Sequence, residues 1–394
     1  MSIFSHPNVA GTPAQDSPES FVRERLAALK AADGHRALKT PRGVDLSSND
    51  YLGLSRHPAV IKGIFEAVEK YGAGSGGSRL LGGNLPLHEE VEETLARLKG
   101  REAALLFNSG YQGNVGILSA LAGPGDQVFS DKLNHASIVD GIRLSKARIF
   151  AYRHCDMNDL EGDLKRHPTR SRSAKRLIVT DTVFSMDGDI APLKDLVFLA
   201  KRYGAMLMVD EAHATGVFGP TGAGISEMLG VSGDVTLALG TCGKAMGVFG
   251  AYVVCDKEMR DYLINHARSF IFSTSLPPAV LGGILAAVDV IKGEPERRER
   301  LLERAAGVRE ELQEAGIDTL KSESQIVPVI LGSESRALEF SRGLAEEGFD
   351  VRAVRPPTVP KGTSRLRLSL NASVAEEDLR RAVETIIRLY KEGV

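Results

Sequence analysis

The segment Met206-Leu207-Met208-Val209-Asp210-Glu211-Ala212-His213 is four apolar residues closed by two carboxylates and, two positions on, a histidine. An apolar run this short, bounded by polar residues, has the pattern of a strand buried on both faces. Comparable runs occupy residues 103–107, 127–130, 148–152, 177–183, 235–239 and 252–254, and helix-like stretches or loops separate most of them. Repeated strand–helix alternation predicts an α/β layer with a mainly parallel sheet covered by helices. In such sheets ligands sit outside the carboxyl ends of the strands. The residues just after each run are therefore the ones that can carry chemistry.

Upstream of these runs, residues 21–32 read as a short helix with Val22, Leu26 and Leu29 on one face, and residues 55–71 as another. A glycine-rich turn at 72–83 leads to an amphipathic helix over 87–99, with Leu87, Val91, Leu95 and Leu98 at helical spacing. The character changes near Pro277-Pro278. A helical region over 279–316, interrupted near Gly293 and Pro295, precedes a strand at 325–331, a helix at 335–347 and strands at 350–354 and 365–370. A capping box from Ser373 to Glu376 is expected to open the last helix, which carries Leu379, Val383, Ile386 and Tyr390 on one face. Three parts follow: an N-terminal helix and arm over 1–48, a large domain over 49–285 and a smaller α+β domain over 286–394.

The 394 residues hold 49 Lys and Arg against 51 Asp and Glu, a net charge of −2, so no global field favours nucleic acid or an anionic membrane. One basic cluster at 165–176 (Arg166, Arg170, Arg172, Lys175) has no interleaved aromatic residues and reads as a solvated loop. No apolar run approaches the ~18 residues of a membrane span. Residues 1–18 are polar, with neither a charged n-region nor an apolar h-region, and are expected to be partly disordered rather than a signal peptide. Cys155, Cys242 and Cys255 show no CxxC spacing, which fits neither a disulfide framework nor a zinc site. A cytoplasmic location is the expectation.

The strongest local signal is Gly240-Thr241-Cys242-Gly243-Lys244-Ala245-Met246-Gly247, directly after the run at 235–239. A lysine among small residues can approach a planar cofactor, and its amine is the usual former of a Schiff base, although a surface lysine in a glycine-rich loop has the same sequence. Asp210 at a strand end, with His213 three residues on, supplies what a pyridinium cofactor needs. The aspartate keeps the ring nitrogen protonated so that the ring draws in electrons, and the histidine reaches the phenolic oxygen. A helix-capping aspartate would look similar. A metal site from Asp210, Glu211 and His213 is disfavoured because adjacent residues on a strand point to opposite faces. Asn108-Ser109-Gly110-Tyr111 follows another run and leads into a helix, so its backbone N–H groups form an anion site suited to phosphate. His135 and Ser185 also lie just beyond strands. The run Gly72-Ala73-Gly74-Ser75-Gly76-Gly77-Ser78-Arg79 follows a helix rather than a strand and so fails as a dinucleotide fingerprint.

These residues, with Ser47-Ser48-Asn49-Asp50-Tyr51-Leu52-Gly53-Leu54, Asn134-His135-Ala136-Ser137, Ser185-Met186-Asp187-Gly188 and Phe272-Ser273-Thr274-Ser275-Leu276-Pro277-Pro278, resemble the α-oxoamine synthase family of fold-type I pyridoxal-phosphate enzymes. The similarity spans about Leu46 to Tyr390. It implies a homodimer that binds pyridoxal 5'-phosphate. Lys244 would carry the cofactor and serve as base or acid at the substrate α-carbon, Asp210 would pair with the ring nitrogen, and His213 would contact the phenolic oxygen. His135 would stack on the ring and Ser185 would tune it. Gly110, Tyr111 and Thr241 would hold the phosphate, with Ser273 and Thr274 supplied by the partner subunit. Arg367 would bind the amino-acid carboxylate beside Asn49, Thr358 would contact the acyl donor, and Arg36 matches the family's N-terminal substrate arginine. Arg355-Pro356-Pro357-Thr358-Val359-Pro360, followed by Arg365-Leu366-Arg367-Leu368, points to the member that condenses L-alanine with a pimeloyl thioester, on CoA or an acyl carrier protein. Relatives that use glycine or serine remain open at this stage. A catalytically silent subunit of the same fold would be expected to lack Lys244, and a nucleotide-binding oxidoreductase would need the missing upstream strand.

Overall fold

The computed structural model describes residues 18–393 except 32, 33, 39, 170 and 172. The expectation for the first 17 residues, and for Arg170 and Arg172, lies outside the described residues. Seven strands form the central sheet: β1 (Ala103–Phe107), β2 (Gln127–Asp131), β3 (Arg148–Tyr152), β4 (Arg176–Asp181), β5 (Met206–Asp210), β6 (Leu237–Thr241) and β7 (Ala251–Cys255). Their spatial order is β1-β7-β6-β5-β4-β2-β3. The pairs from β3 across to β6 are parallel, and β7 runs antiparallel to both of its neighbours. Strands β1, β2, β4 and β7 are buried at every position, because helices cover both faces. Edge strand β3 is buried only at Phe150 and Tyr152, which is the alternation of a strand with one wet face.

The seven apolar runs thus correspond to seven strands. The run at 177–183 outlasts the strand: the Thr182 N–H still donates to the Asp210 carbonyl, joined there by its hydroxyl, and Val183 forms an isolated bridge with Ile190. A second, antiparallel sheet holds β8 (Ile326–Gly332), β9 (Ala353–Val354) and β10 (Ser364–Ser369), in the order β9-β10-β8.

Several local expectations are corrected. The single strand expected at 350–354 is two: Phe349–Asp350 pairs in parallel with Val44–Asp45, whereas β9 pairs with β10. The switch occurs where the Arg352 N–H donates to Ser47 Oγ, so the arm before residue 48 is stitched to the C-terminal part. The helix expected at 55–71 is a 3₁₀ turn, Leu54–Arg56, followed by an α-helix, Pro58–Tyr71. Pro58 disfavours helical geometry at His57, and the His57 ring instead accepts from the Ala59 N–H as a cap. The Ser373–Glu376 capping box does not form. The last helix is Glu376–Glu392 with Ala375 at its cap, and the Ser373 N–H is already committed to Asn371 Oδ1 at 2.7 Å. The basic stretch 165–176 is only partly a solvated loop. Arg166 ends a helix (Met157–Arg166), and Arg176 is buried in β4, donating to the Leu164 carbonyl. The N-terminal helix, Ser20–Ala31, buries none of its residues. Among the described residues no helix is long and apolar enough to cross a membrane.

Candidate active site

The carboxyl ends of β2, β4, β5 and β6 bring the chemistry together. Strand β5 ends at Asp210, whose Oδ2 accepts from Asn114 Nδ2 at 2.8 Å and whose Oδ1 accepts from the Ala212 N–H at 2.9 Å. Asn114 belongs to the helix Gly110–Leu121, which starts just after β1, and its amide also donates to Ser137 Oγ at 2.9 Å. Ser137 Oγ lies 2.8 Å from His135 Nδ1, and the His135 N–H donates to Asp181 Oδ2 at 2.8 Å. Asp210 and Asp181 are register partners across β5 and β4. Burial, reinforced by the charge of Asp210, pushes the Asp181 carboxyl well above its ordinary range. Glu211 faces the other way, with its carboxylate on Lys99 Nζ at 2.5 Å and on the Ser226 N–H at 2.8 Å. Asp210, Glu211 and His213 therefore do not converge on one point.

Lys244 follows β6, and its Nζ lies 2.9 Å from His213 Nε2. Burial lowers the Lys244 amine to about 8, against the opposing pull of Asp210 and Asp181. Burial, and the positive charges of Lys244 and Arg367, hold the His213 imidazole well below its usual value. Burial likewise lowers His135. Gly247, at φ 66°, closes the lysine loop where a Cβ would strike the backbone of Leu54 and Ser55.

The first turn of the Gly110–Leu121 helix faces Thr241. A Cβ on Gly110 would lie 2.8 Å from Thr241 Cγ2, so the close approach depends on glycine. Ser109 caps this helix, accepting from the Gln112 N–H. The Tyr111 hydroxyl donates to Asp140 at 2.5 Å, leaving the residue's backbone N–H as its contribution at the helix terminus. Asn108 donates to the Thr274 carbonyl at 2.8 Å, and Ser78 forms an isolated bridge with Thr274, so the glycine-rich turn packs on the 272–278 segment.

Arg367, buried on β10, reaches the same centre. Its guanidinium donates to Asn49 Oδ1 at 3.0 Å, to the Tyr51 hydroxyl at 3.3 Å and to the Ser185 carbonyl and Ser369 hydroxyl. Arg36 and Thr358 form an exposed pair at 3.0 Å (Nη2 to Oγ1). Five residues in this network carried no role in the sequence reading: Tyr51, Asn114, Ser137, Asp181 and Ser369. Asn114 announces itself as a polar side chain four residues beyond Gly110 on an otherwise apolar helix face. Asp181, like Asp210, ends a buried strand with a carboxylate.

Residues 41–386 match the family described as aminotransferase class I and II. The chain is 53% identical over 389 residues to an 8-amino-7-oxononanoate synthase from Geobacter sulfurreducens, covering 98% of each chain. The chain belongs to the aminotransferase class I and II family, among its α-oxoamine synthases. Solved structures agree with this placement. A lysine-to-alanine variant of serine palmitoyltransferase from S. paucimobilis, with a bound PLP–myriocin aldimine, superposes with a TM-score of 0.88 at 33% identity, covering 95% of this chain and 98% of that one. An 8-amino-7-oxononanoate synthase from Francisella tularensis gives 0.77 at 29% identity, covering 89% and 98%. In this α-oxoamine synthase two hydrogen-bonded clusters stand side by side, Lys244, His213, Tyr51, Arg367 and Asn49 in one and Asp210, Asn114, Ser137 and His135 in the other, coupled through the charge of Asp210 on Lys244.

Proposed function

We propose that the chain condenses L-alanine with a pimeloyl thioester, releasing CO2 and the thiol, the reaction of 8-amino-7-oxononanoate synthases in biotin biosynthesis, with pyridoxal 5'-phosphate as cofactor. The carrying observation is a lysine amine lowered to about 8, beside His213 and Arg367, in a chain 53% identical over nearly its whole length to an enzyme of that name.

The residues fit the cofactor. Asp210 is a buried carboxylate held by Asn114, whose own Oδ1 has no protein partner. The Gly110 terminus, with no room for a Cβ, and Thr241 offer donors for a phosphate. Ser273 and Thr274 are read as the partner subunit's contribution in a homodimer. Bound here, pyridoxal phosphate supplies an aldehyde for amines and a protonated ring that accepts electrons from the substrate α-carbon.

The chain's own groups then divide the work. Asp210 would hold the proton on the ring nitrogen. His213 would donate to the phenolic oxygen, His135 would stack on the ring, and Ser185 would adjust its electronics. Arg367 and Asn49 orient the alanine carboxylate, which fixes the α-hydrogen toward Lys244. Lys244 removes that proton as a free amine and returns one after decarboxylation. Such general acid–base steps contribute about 10²–10⁴-fold. Thr358 contacts the acyl chain, and the exposed Arg36 beside it is suited to the distal carboxylate of the pimeloyl group.

Titrating the purified, cofactor-loaded protein with L-alanine, glycine and L-serine while following its visible absorbance tests this reading. Saturation by alanine at the lowest concentration is expected. Clear preference for glycine or serine would move the activity to another α-oxoamine synthase.

A further inference from the structure

The Tyr51 hydroxyl is fully buried, and its neighbours include His213 Nδ1 at 2.6 Å, Asn49 Oδ1 at 3.0 Å and Arg367 Nη2 at 3.3 Å, with the Gln325 side chain also reaching it. An arginine can only donate, so it fills one acceptor position on the tyrosine oxygen. Of the acceptors with a hydrogen-bond distance to this oxygen, Asn49 Oδ1 and His213 Nδ1 are the two that the single tyrosine proton can reach. Asn49 Oδ1 does not depend on it, because Arg367 Nη1 at 3.0 Å and Ser369 Oγ at 3.3 Å already donate there. The proton can therefore swing without leaving a buried acceptor bare.

The other ring nitrogen, Nε2, faces Lys244 Nζ at 2.9 Å. A charged lysine donates to a bare Nε2, which puts the imidazole proton on Nδ1 and directs it at the Tyr51 oxygen. A neutral lysine gains a lone pair and can accept from Nε2–H, and in that arrangement Nδ1 is bare and in need of the Tyr51 proton. Only a group that both donates and accepts can serve both states, and a hydroxyl does so.

We propose that Tyr51 is a positioning residue that lets the His213 tautomer follow the protonation of Lys244, from Nδ1–H when the amine is charged to Nε2–H when it is neutral. The charged groups facing this pair are Asp210, Asp181 and Arg367 for Lys244, and Arg367 and His135 for His213. No proton is created in the exchange. Lys244 releases one to solvent, the imidazole proton moves from Nδ1 to Nε2, and the tyrosine proton turns from Asn49 to Nδ1. The consequence for catalysis rests on the reading under Proposed function: the Nε2–H form is the one that can donate to the cofactor's phenolic oxygen once Lys244 is engaged.

The test uses the cofactor-free protein labelled with ¹⁵N-histidine, with His213→Gln identifying the His213 resonances. Long-range ¹H–¹⁵N spectra are recorded from pH 6.5 to 9.5. The expected result is a change from Nδ1–H to Nε2–H with a midpoint near the lysine value of about 8, lost in Tyr51→Phe. A single tautomer throughout in the unmodified protein, or an unchanged switch in Tyr51→Phe, would overturn the proposal. The unmodified spectrum decides alone if the variant does not fold. Because no cofactor or substrate is present, failure here is separate from failure of the proposed reaction.

Discussion

A lysine amine stripped of water is easier to deprotonate, and at Lys244 this outweighs two nearby carboxylates, bringing the group to about 8. Only the neutral amine attacks an aldehyde. The rate at which cofactor-free protein captures pyridoxal phosphate should therefore climb with pH and level off near 8. A lysine of ordinary value would keep climbing toward about 10.4. Stopped-flow absorbance across that range checks this, and a rate still rising tenfold per unit above pH 9 would contradict a lowered Lys244 amine. Lys244, Asp210 and His213 were legible because each follows an apolar run where the sheet delivers ligands. Their supporting partners were not. Asn114 reaches Asp210 only because helix packing brings together residues 96 positions apart, and Tyr51 meets His213 across 162. No local spacing encodes such contacts.

At the scale of elements, continuous apolar runs gave the sheet away, since a strand buried on both faces has no polar alternation to blur it. Short edge pieces were harder. Residues 350–354 read as one strand, yet the stretch from Phe349 to Val354 serves two sheets, with Ser47 and Arg352 meeting where it switches between them. The helices Pro58–Tyr71 and Pro278–Gly293 show a further contact that sequence alone hides. A Cβ on Gly63 would lie 2.8 Å from the Gly282 carbonyl oxygen, and one on Gly282 would strike the Gly63 carbonyl and the Ala67 methyl. Neither glycine has positive φ, so their role is closeness rather than conformational freedom. Gly282→Val should force the helices apart and destabilise the fold by about 1–3 kcal/mol, the usual range for overpacking. Denaturant unfolding measures it, and an unchanged midpoint would mean that the two helices can separate at little cost.

Across the whole molecule, the centre is assembled from distant parts of the chain. Asn49 and Tyr51 come from the segment after the N-terminal arm, the Ser185 carbonyl from the loop after β4, and Arg367 from the second sheet. Arg365 fastens the same loop through Asp187 at 2.5 Å and the Met186 carbonyl. The two sheets are thus joined at the place where the amino-acid carboxylate is proposed to bind. The family and the α/β layer could be read from motifs, whereas this joint depends on β10 lying against the 185–188 loop, which only the folded chain reveals. The most direct measurement is product analysis by mass spectrometry after incubating the cofactor-loaded protein with pimeloyl-CoA and equal concentrations of L-alanine, glycine and L-serine. The expected product is 8-amino-7-oxononanoate, formed in excess over the glycine and serine adducts and absent with Lys244→Ala. A dominant glycine or serine adduct, or undiminished product from Lys244→Ala, would contradict it.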